Sequence, residues 1–260
     1  MIGIYDCFGY GVGYDVSFEE RYKLIKSAGF DCVMLWWSDK FGRGETYRES
    51  VALARNAGLY IENIHAPVHE QNCLSSDNLG GASVFQTYLQ CVTDCVENEI
   101  STMVIHLPDD KFAINNIGLS RLEHIIGKAE EKNVQLAFEN LNNILNLELV
   151  LETFSSPYVG YCYDSYHHKN YAPNEDLLKK YGNRLMALHL HDNGGKYNQH
   201  LLPFDGFTNW AESMKEIANT GYLGATSLEP MNWDYEHLSI QQFLDLAYQK
   251  AKMIDGMRWI

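Results

Sequence analysis

The 260-residue sequence predicts an α/β chain, a single (β/α)8 TIM barrel over residues 1–260 as one domain. Three observations predict it. Short apolar runs alternate with helix-periodic segments from end to end, there are eight of each, and no Pro/Ser-rich linker or low-complexity tract interrupts them. Eight βα units are the count that closes a barrel, and about 250 residues is the ordinary size for one. An open, doubly wound sheet is the competing architecture. No GxGxxG follows the first apolar run, which argues against its dinucleotide-binding form.

The apolar runs are Ile2–Cys7, Cys32–Trp37, Ile61–Ala66, Thr102–Leu107, Val134–Phe138, Val159–Tyr163, Leu185–Leu190 and Ala225–Leu228. They are too short for typical helices. Most lack strict alternation, as expected of strands covered on both faces in a parallel sheet. Helical spacing of apolar residues marks Phe18–Ala28 and Tyr47–Ala57, which stop at Gly29 and Gly58. It recurs in Val84–Val96, Ser120–Lys132, Leu147–Phe154, Asn174–Tyr181, Asn209–Ala218 and Ser239–Met253. Thr208 and Ser239 are the expected N-caps of the last two.

Composition excludes several classes. Hydrophobic residues are 46% and charged residues 21%, a globular balance that rules out a disordered chain. Lys and Arg number 20 against 34 Asp and Glu, a formal charge of −14, which disfavours phosphate backbones and hence nucleic-acid partners. No run of about 18 apolar residues is present to span a membrane. Met1–Asp6 reads as a strand, with no basic region and no cleavable apolar stretch. Six cysteines form no CxxC pair, and Cys7, Cys32 and Cys162 sit in apolar runs where free thiols pack as small hydrophobes. The expectation is a reduced, cytoplasmic protein.

Barrel active sites form where strands end and βα loops begin. Six consecutive strand ends carry His, Asp or Glu in apolar surroundings: His65 in NIHAP, His106 in VIHLP, Glu139 in AFEN, Asp164 and His167 in YDSYH, His189 and His191 in LHLHD, and Glu229 in SLEP. A single histidine at a strand end is more often a satisfied rim residue than a ligand. Convergence changes that. Three carboxylates crowded on one rim repel unless a divalent cation compensates them, and mixed His/carboxylate ligands suit zinc or manganese better than magnesium or calcium.

These motifs resemble the xylose isomerase-like barrels, which include sugar isomerases, ketose 3-epimerases, inosose-type dehydratases and endonuclease IV. The resemblance covers nearly the whole chain. It implies that Glu139, Asp164, His189 and Glu229 hold one catalytic metal and that His167, of the D-x-x-H pattern, contacts substrate. It also implies that His65 and His106, with Glu139, match the histidines holding a further zinc in endonuclease IV; donation of hydrogen bonds to substrate hydroxyls is the alternative role for these two histidines. Asn198-Gln199-His200 through Gly206 is similar to that enzyme's D-x-H and G-x-G turn, but Asn198 stands where the family has Asp and Phe204 where it has Gly. A third metal held by His167, His200 and a neutral amide is therefore not expected. Met34 stands where many epimerases carry Glu.

Further candidates come from single residues. Trp36, ending the second strand beside Trp37, offers an aromatic face for the C–H side of a sugar. Lys196, in the loop after the seventh strand, offers a cation to a substrate oxygen or phosphate, although a solvated loop lysine is the plainer reading. The expected activity is a metal-dependent isomerase or epimerase of a sugar, sugar phosphate or cyclitol, working through a metal-chelated enediolate. Glu139 and Glu229 are its catalytic acid–base pair, and His167, His191 and His200 bind substrate. Its partner is a small carbohydrate, with neither nucleic acid nor membrane. Alternatives are an endonuclease IV-like phosphodiester hydrolase, favoured by the four histidines 65, 106, 167 and 200, and a dehydratase of a keto-cyclitol. One strong metal site is expected, with any second ion weaker.

Overall fold

The structure is a computed structural model describing residues 1–9, 16–39 and 44–258. It belongs to the (β/α)8 barrel class. Among the described residues there are eight strands: β1 (Ile2–Tyr5), β2 (Cys32–Trp36), β3 (Tyr60–His65), β4 (Thr102–Ile105), β5 (Gln135–Glu139), β6 (Val159–Asp164), β7 (Leu185–His189) and β8 (Thr226–Leu228). All eight fall within two residues of the apolar runs. They hydrogen-bond in the order β7-β6-β5-β4-β3-β2-β1-β8, and each described pairing is parallel. The helices are α1 (Phe18–Ala28), α2 (Ser50–Asn56), α3 (Leu79–Glu97), α4 (Asn116–Lys132), α5 (Ile144–Thr153), α6 (Ser165–Tyr171), α7 (Leu177–Tyr181), α8 (Trp210–Asn219) and α9 (Ile240–Met257).

Local chemistry sets the helix ends. Ser17 caps α1 by accepting from Glu20 N, and Gly29 ends it at φ 110°, a left-handed conformation that favours glycine. α3 starts well before Val84 because Asn78 accepts from Gly81 N, so the Gly80-Gly81 pair lies in a first turn. Asn115 likewise starts α4 early, accepting from the backbone N–H groups of Ile117 and Gly118. Asn209 rather than Thr208 caps α8, because its side chain reaches Glu212 N. Ser239 caps α9 in a full capping box with Gln242. The segment 47–57 divides into a 3₁₀ turn, Gly44–Glu49, followed by α2. α6 has no counterpart among the periodic segments: the seven residues of SYHHKNY, about two turns, carry too little periodicity to be read.

The chain divides into two compact units, one of residues 1–62 with 188–260 and one of residues 63–187. In the second unit, Val104, Ala137, Cys162 and Ala187 on β4 to β7 form a fully buried layer of small side chains, flanked by Met186. Gly160 on β6 has no room for a Cβ, which would lie 2.4 Å from both Arg184 O and Met186 Sδ. In the first unit, β1 pairs with both β2 and β8, with Gly3 opposite Cys32 and Ser227. Trp37 is 1% exposed and packs edge-on against Tyr47 at 5.1 Å. All six cysteines are free thiols. No described helix is long and apolar enough to cross a membrane.

Candidate metal centre

In the unit of residues 63–187, β3, β4, β5 and β6 deliver four of the expected side chains together. The Glu139 carboxylate, with its side chain 1% exposed, is surrounded by imidazoles. His106 Nε2 lies 3.1 Å from Glu139 Oε2, His65 Nε2 lies 3.4 Å from the same oxygen, and His167 Nδ1 lies 3.1 Å from Oε1. The His65 and His106 rings meet edge to face at 4.7 Å. Tyr88 holds the backbone of His106 by donating its hydroxyl to that residue's carbonyl at 3.0 Å.

The tautomer of His65 follows from its other nitrogen. Nδ1 is 2.8 Å from the carbonyl oxygen of Ala66, which can only accept, so Nδ1 carries a proton. A neutral His65 therefore presents the Nε2 lone pair to a carboxylate oxygen. Two acceptors at that distance in a buried site are unfavourable until a cation lies between them. His65, His106 and Glu139 have ligand atoms within 4.8 Å of one another, and the backbone bond on His65 Nδ1 is the usual outer support of a ligating imidazole. The donor set fits a divalent ion.

Asp164 ends β6 and caps α6, its Oδ1 accepting from His167 N at 2.7 Å while Oδ2 lies 3.5 Å from His167 Nδ1. The D-x-x-H spacing is thus a helix cap that also sets the histidine. His168 is occupied elsewhere: it donates Nε2–H to Glu175 O at 2.7 Å and meets the Tyr163 hydroxyl through Nδ1. Asn140, which sequence reasoning missed, clasps Asp164 on both backbone sides, donating to its O at 3.0 Å and accepting from its N at 2.8 Å. Its adjacency to Glu139 in FEN was the available signal. Among the described residues, the Asn63 side-chain amide, two residues before His65, is buried with neither polar atom hydrogen-bonded.

In the unit of residues 1–62 and 188–260, His189 Nδ1 lies 3.4 Å from Glu229 Oε2. Their backbones are tied through Leu190 N to Ser227 O and Glu229 N to Leu190 O, both 3.0 Å. The Tyr5 ring stacks on His189 at 5.9 Å and 17°, and Trp36 packs on Tyr5 at 6.3 Å, so Trp36 sits one ring away from His189. His191 and His200 stack in parallel at 4.0 Å, and Trp233 packs edge-on against His200. Lys196 is exposed and lines, with Tyr197, Asn198, Gln199, Trp233 and Asp234, an open cavity of about 410 Å³.

Lower in the same unit lies an acid with no part in the expected site. Glu62 accepts from the hydroxyls of Ser227 and Tyr222, and burial pushes its carboxyl up to about 7.

Residues 22–260 match the family model described as the xylose isomerase-like TIM barrel. The protein y4fM of Sinorhizobium fredii is 30% identical over 287 residues, covering 94% of this chain and 90% of that relative. Among solved structures, D-psicose 3-epimerase with D-tagatose, from Clostridium cellulolyticum H10, is 17% identical with a TM-score of 0.76, covering 98% of each chain. The IolI protein with a binding zinc atom is 14% identical with a TM-score of 0.78, covering 99% of this chain and 98% of that one. At those identities the structural likeness is one of fold, and it agrees with the family match. The chain belongs to the xylose isomerase-like TIM barrel family.

Proposed function

We propose that the protein is a metal-dependent isomerase or epimerase of a small carbohydrate. The observation that carries this reading is the pair of shielded glutamates, Glu139 and Glu229, each held against imidazole nitrogen within its own unit. Similarity to a D-psicose 3-epimerase and to a zinc-binding IolI protein supports the same class. The residues that would hold the ion are Glu139, Asp164, His189 and Glu229, with zinc or manganese suited to the donor set. Bound there, a divalent ion polarises a carbonyl and acidifies the neighbouring C–H.

The chain's own residues do the rest. Glu139 takes the proton from the carbon beside the carbonyl, and Glu229 returns one. His167, fixed by the Asp164 cap, and His191 orient substrate hydroxyls, and Trp36 offers an apolar face. The test is a panel of keto-sugars in D2O, read by NMR with zinc or manganese supplied. An epimer or aldose product carrying deuterium at the reacting carbon is expected, and Glu139→Gln should remove it. No turnover of any sugar or cyclitol would overturn the reading.

One observation favours a second reading. The grouping of His65, His106 and Glu139 matches the residues that hold an additional zinc in endonuclease IV, which points to phosphodiester hydrolysis. The charge of −14 stands against it. Incubation with abasic-site DNA decides: cleavage above a metal-only control would promote this reading.

A further inference from the structure

We propose that the open cavity walled by Lys196, Tyr197, Asn198, Gln199, Trp233 and Asp234 binds a neutral sugar ring, packed against the Tyr197 and Trp233 side chains. All six residues belong to the unit of residues 1–62 and 188–260, and about 410 Å³ is ample for one small molecule. Binding here needs neither metal nor turnover, so this site stands apart from the catalytic reading above.

The two aromatic residues supply the apolar surface. Tyr197 is 82% exposed, and among the described residues its ring meets no other ring and its hydroxyl has no hydrogen-bond partner. Trp233 is half-buried and stands edge-on to His200 at 5.8 Å and 84°. Aromatic surface held at a cavity wall gains by leaving water, and a flat ring matches the C–H face of a sugar. The hydroxyls at the sugar's edge then need the polar groups of the same walls.

The loop holds Tyr197 in place through its neighbours. Lys196 is pinned at both backbone groups: its N–H donates to Gln199 Oε1 at 3.2 Å, and its carbonyl accepts from Asn193 Nδ2 at 2.7 Å. Gln199 Oε1 also accepts from Gly194 N at 2.9 Å, and Asn193 Oδ1 from Gly195 N at 2.7 Å. Asn198 turns the chain at φ 47°, a left-handed conformation that asparagine tolerates. At the base of the loop, the Asp192 carboxylate accepts from Asn193 N, Phe204 N, Thr208 N and Trp210 Nε1, all at 2.9–3.0 Å.

The facing wall is tied down as well. Met231 N donates to His200 O at 2.9 Å, and Asn232 Oδ1 accepts from Gly9 N at 2.8 Å, directly before Trp233. Gln199 Nε2 joins the two walls by donating to Asp234 Oδ2 at 3.5 Å. A cavity organised before the ligand arrives loses less conformational freedom on binding.

Charge selects a neutral ligand. Lys196 and Asp234 place one ammonium and one carboxylate on the same cavity, both on exposed residues. The first donates and the second accepts, which suits hydroxyls that do both. A phosphate would meet the Asp234 carboxylate along with the single lysine, on a chain of charge −14.

The experiment titrates intact protein, in chelator, with methyl β-D-glucopyranoside, methyl β-D-galactopyranoside and glucose 6-phosphate. Binding is read by saturation-transfer NMR and by tryptophan fluorescence, for wild type, Tyr197→Ala and Trp233→Leu. At least one glycoside is expected to bind wild type more tightly than glucose 6-phosphate does. Each variant should weaken that binding by about tenfold, the loss of one covered aromatic face. Tyr197→Ala changes an exposed side chain and leaves the core untouched, so its effect is one of binding rather than folding. Binding of neither glycoside to wild type overturns the proposal, and so does undiminished binding to Tyr197→Ala. Tighter binding of glucose 6-phosphate overturns it in favour of an anion site. Keto-sugar turnover is assayed separately with metal supplied: glycoside binding without turnover of any sugar or cyclitol overturns the catalytic reading and supports this one.

Discussion

His65 faces Glu139 with the wrong nitrogen for a neutral hydrogen bond: Nε2 lies 3.4 Å from Oε2, while the proton is on Nδ1, which donates to the Ala66 carbonyl. With His106 and His167 on the same carboxylate, three imidazoles converge on one buried anion. An ion among these acceptors relieves their mutual repulsion, so metal content and fold stability are linked.

Adding zinc or manganese to chelator-treated protein is therefore expected to raise its melting temperature. At a free metal concentration about 100-fold over Kd, linkage gives about 2.7 kcal/mol, or several degrees for a chain of this size. Differential scanning calorimetry with and without chelator measures it. An unchanged Tm would contradict the linkage.

Glu139→Gln and Glu229→Gln keep the side-chain volume but remove the proton-transferring carboxylate. Each is expected to lower kcat on the responsive sugar by about 100-fold or more, the usual contribution of a general acid or base. Steady-state kinetics on metal-loaded protein checks it, with circular dichroism to verify the fold. A variant turning over at the wild-type rate would exclude its glutamate from the acid–base role.

Asn140→Ala removes the clasp on the Asp164 backbone and leaves buried groups unsatisfied. A loss of about 1–3 kcal/mol in urea unfolding is expected. A metal affinity weakened by about 10–100-fold should accompany it, because Asp164 is then no longer held in place. Loss of stability with unaltered metal affinity would make Asn140 purely structural.

Glu62 gives a pH signature of its own. Its carboxyl is raised from 4.5 to about 7 by burial, so the folded state holds its proton more tightly than the unfolded state. The resulting stabilisation is complete below about pH 4.5 and is lost as the pH rises through 7. Glu62→Gln cannot ionise. It should be more stable than wild type at pH 8 by about 1–3 kcal/mol, with the difference shrinking toward pH 5. Urea melts at both pH values measure this, and a difference independent of pH would show that Glu62 does not titrate in the fold.

The strands were legible because each is a local property: a short apolar run such as Val159–Tyr163 needs no partner to be recognised. Helix starts were less so. Asn78, Asn115 and Asn209 act through one side-chain bond to a backbone N–H, and a polar residue in a loop looks the same whether or not it makes that bond. α6 escaped because a seven-residue helix hung from the Asp164 cap owes its existence to that carboxylate rather than to periodicity.

The sequence by itself determined the class of fold, the strand ends and the identities of the polar residues placed there, since alternation of apolar runs and helical segments repeats along the chain and His, Asp and Glu stand out against it. Tertiary structure alone decided which atoms face which. It set His65 to present Nε2 to Glu139, stacked His191 on His200 rather than leaving it a lone rim histidine, and made Asn140 and Asp192 the supports of the residues beside them. Those outcomes depend on hydrogen bonds between positions as far as 29 residues apart, such as His200 Nδ1 to Glu229 O. Such bonds form only when the backbone has closed the distance, and no residue pattern along the chain encodes them.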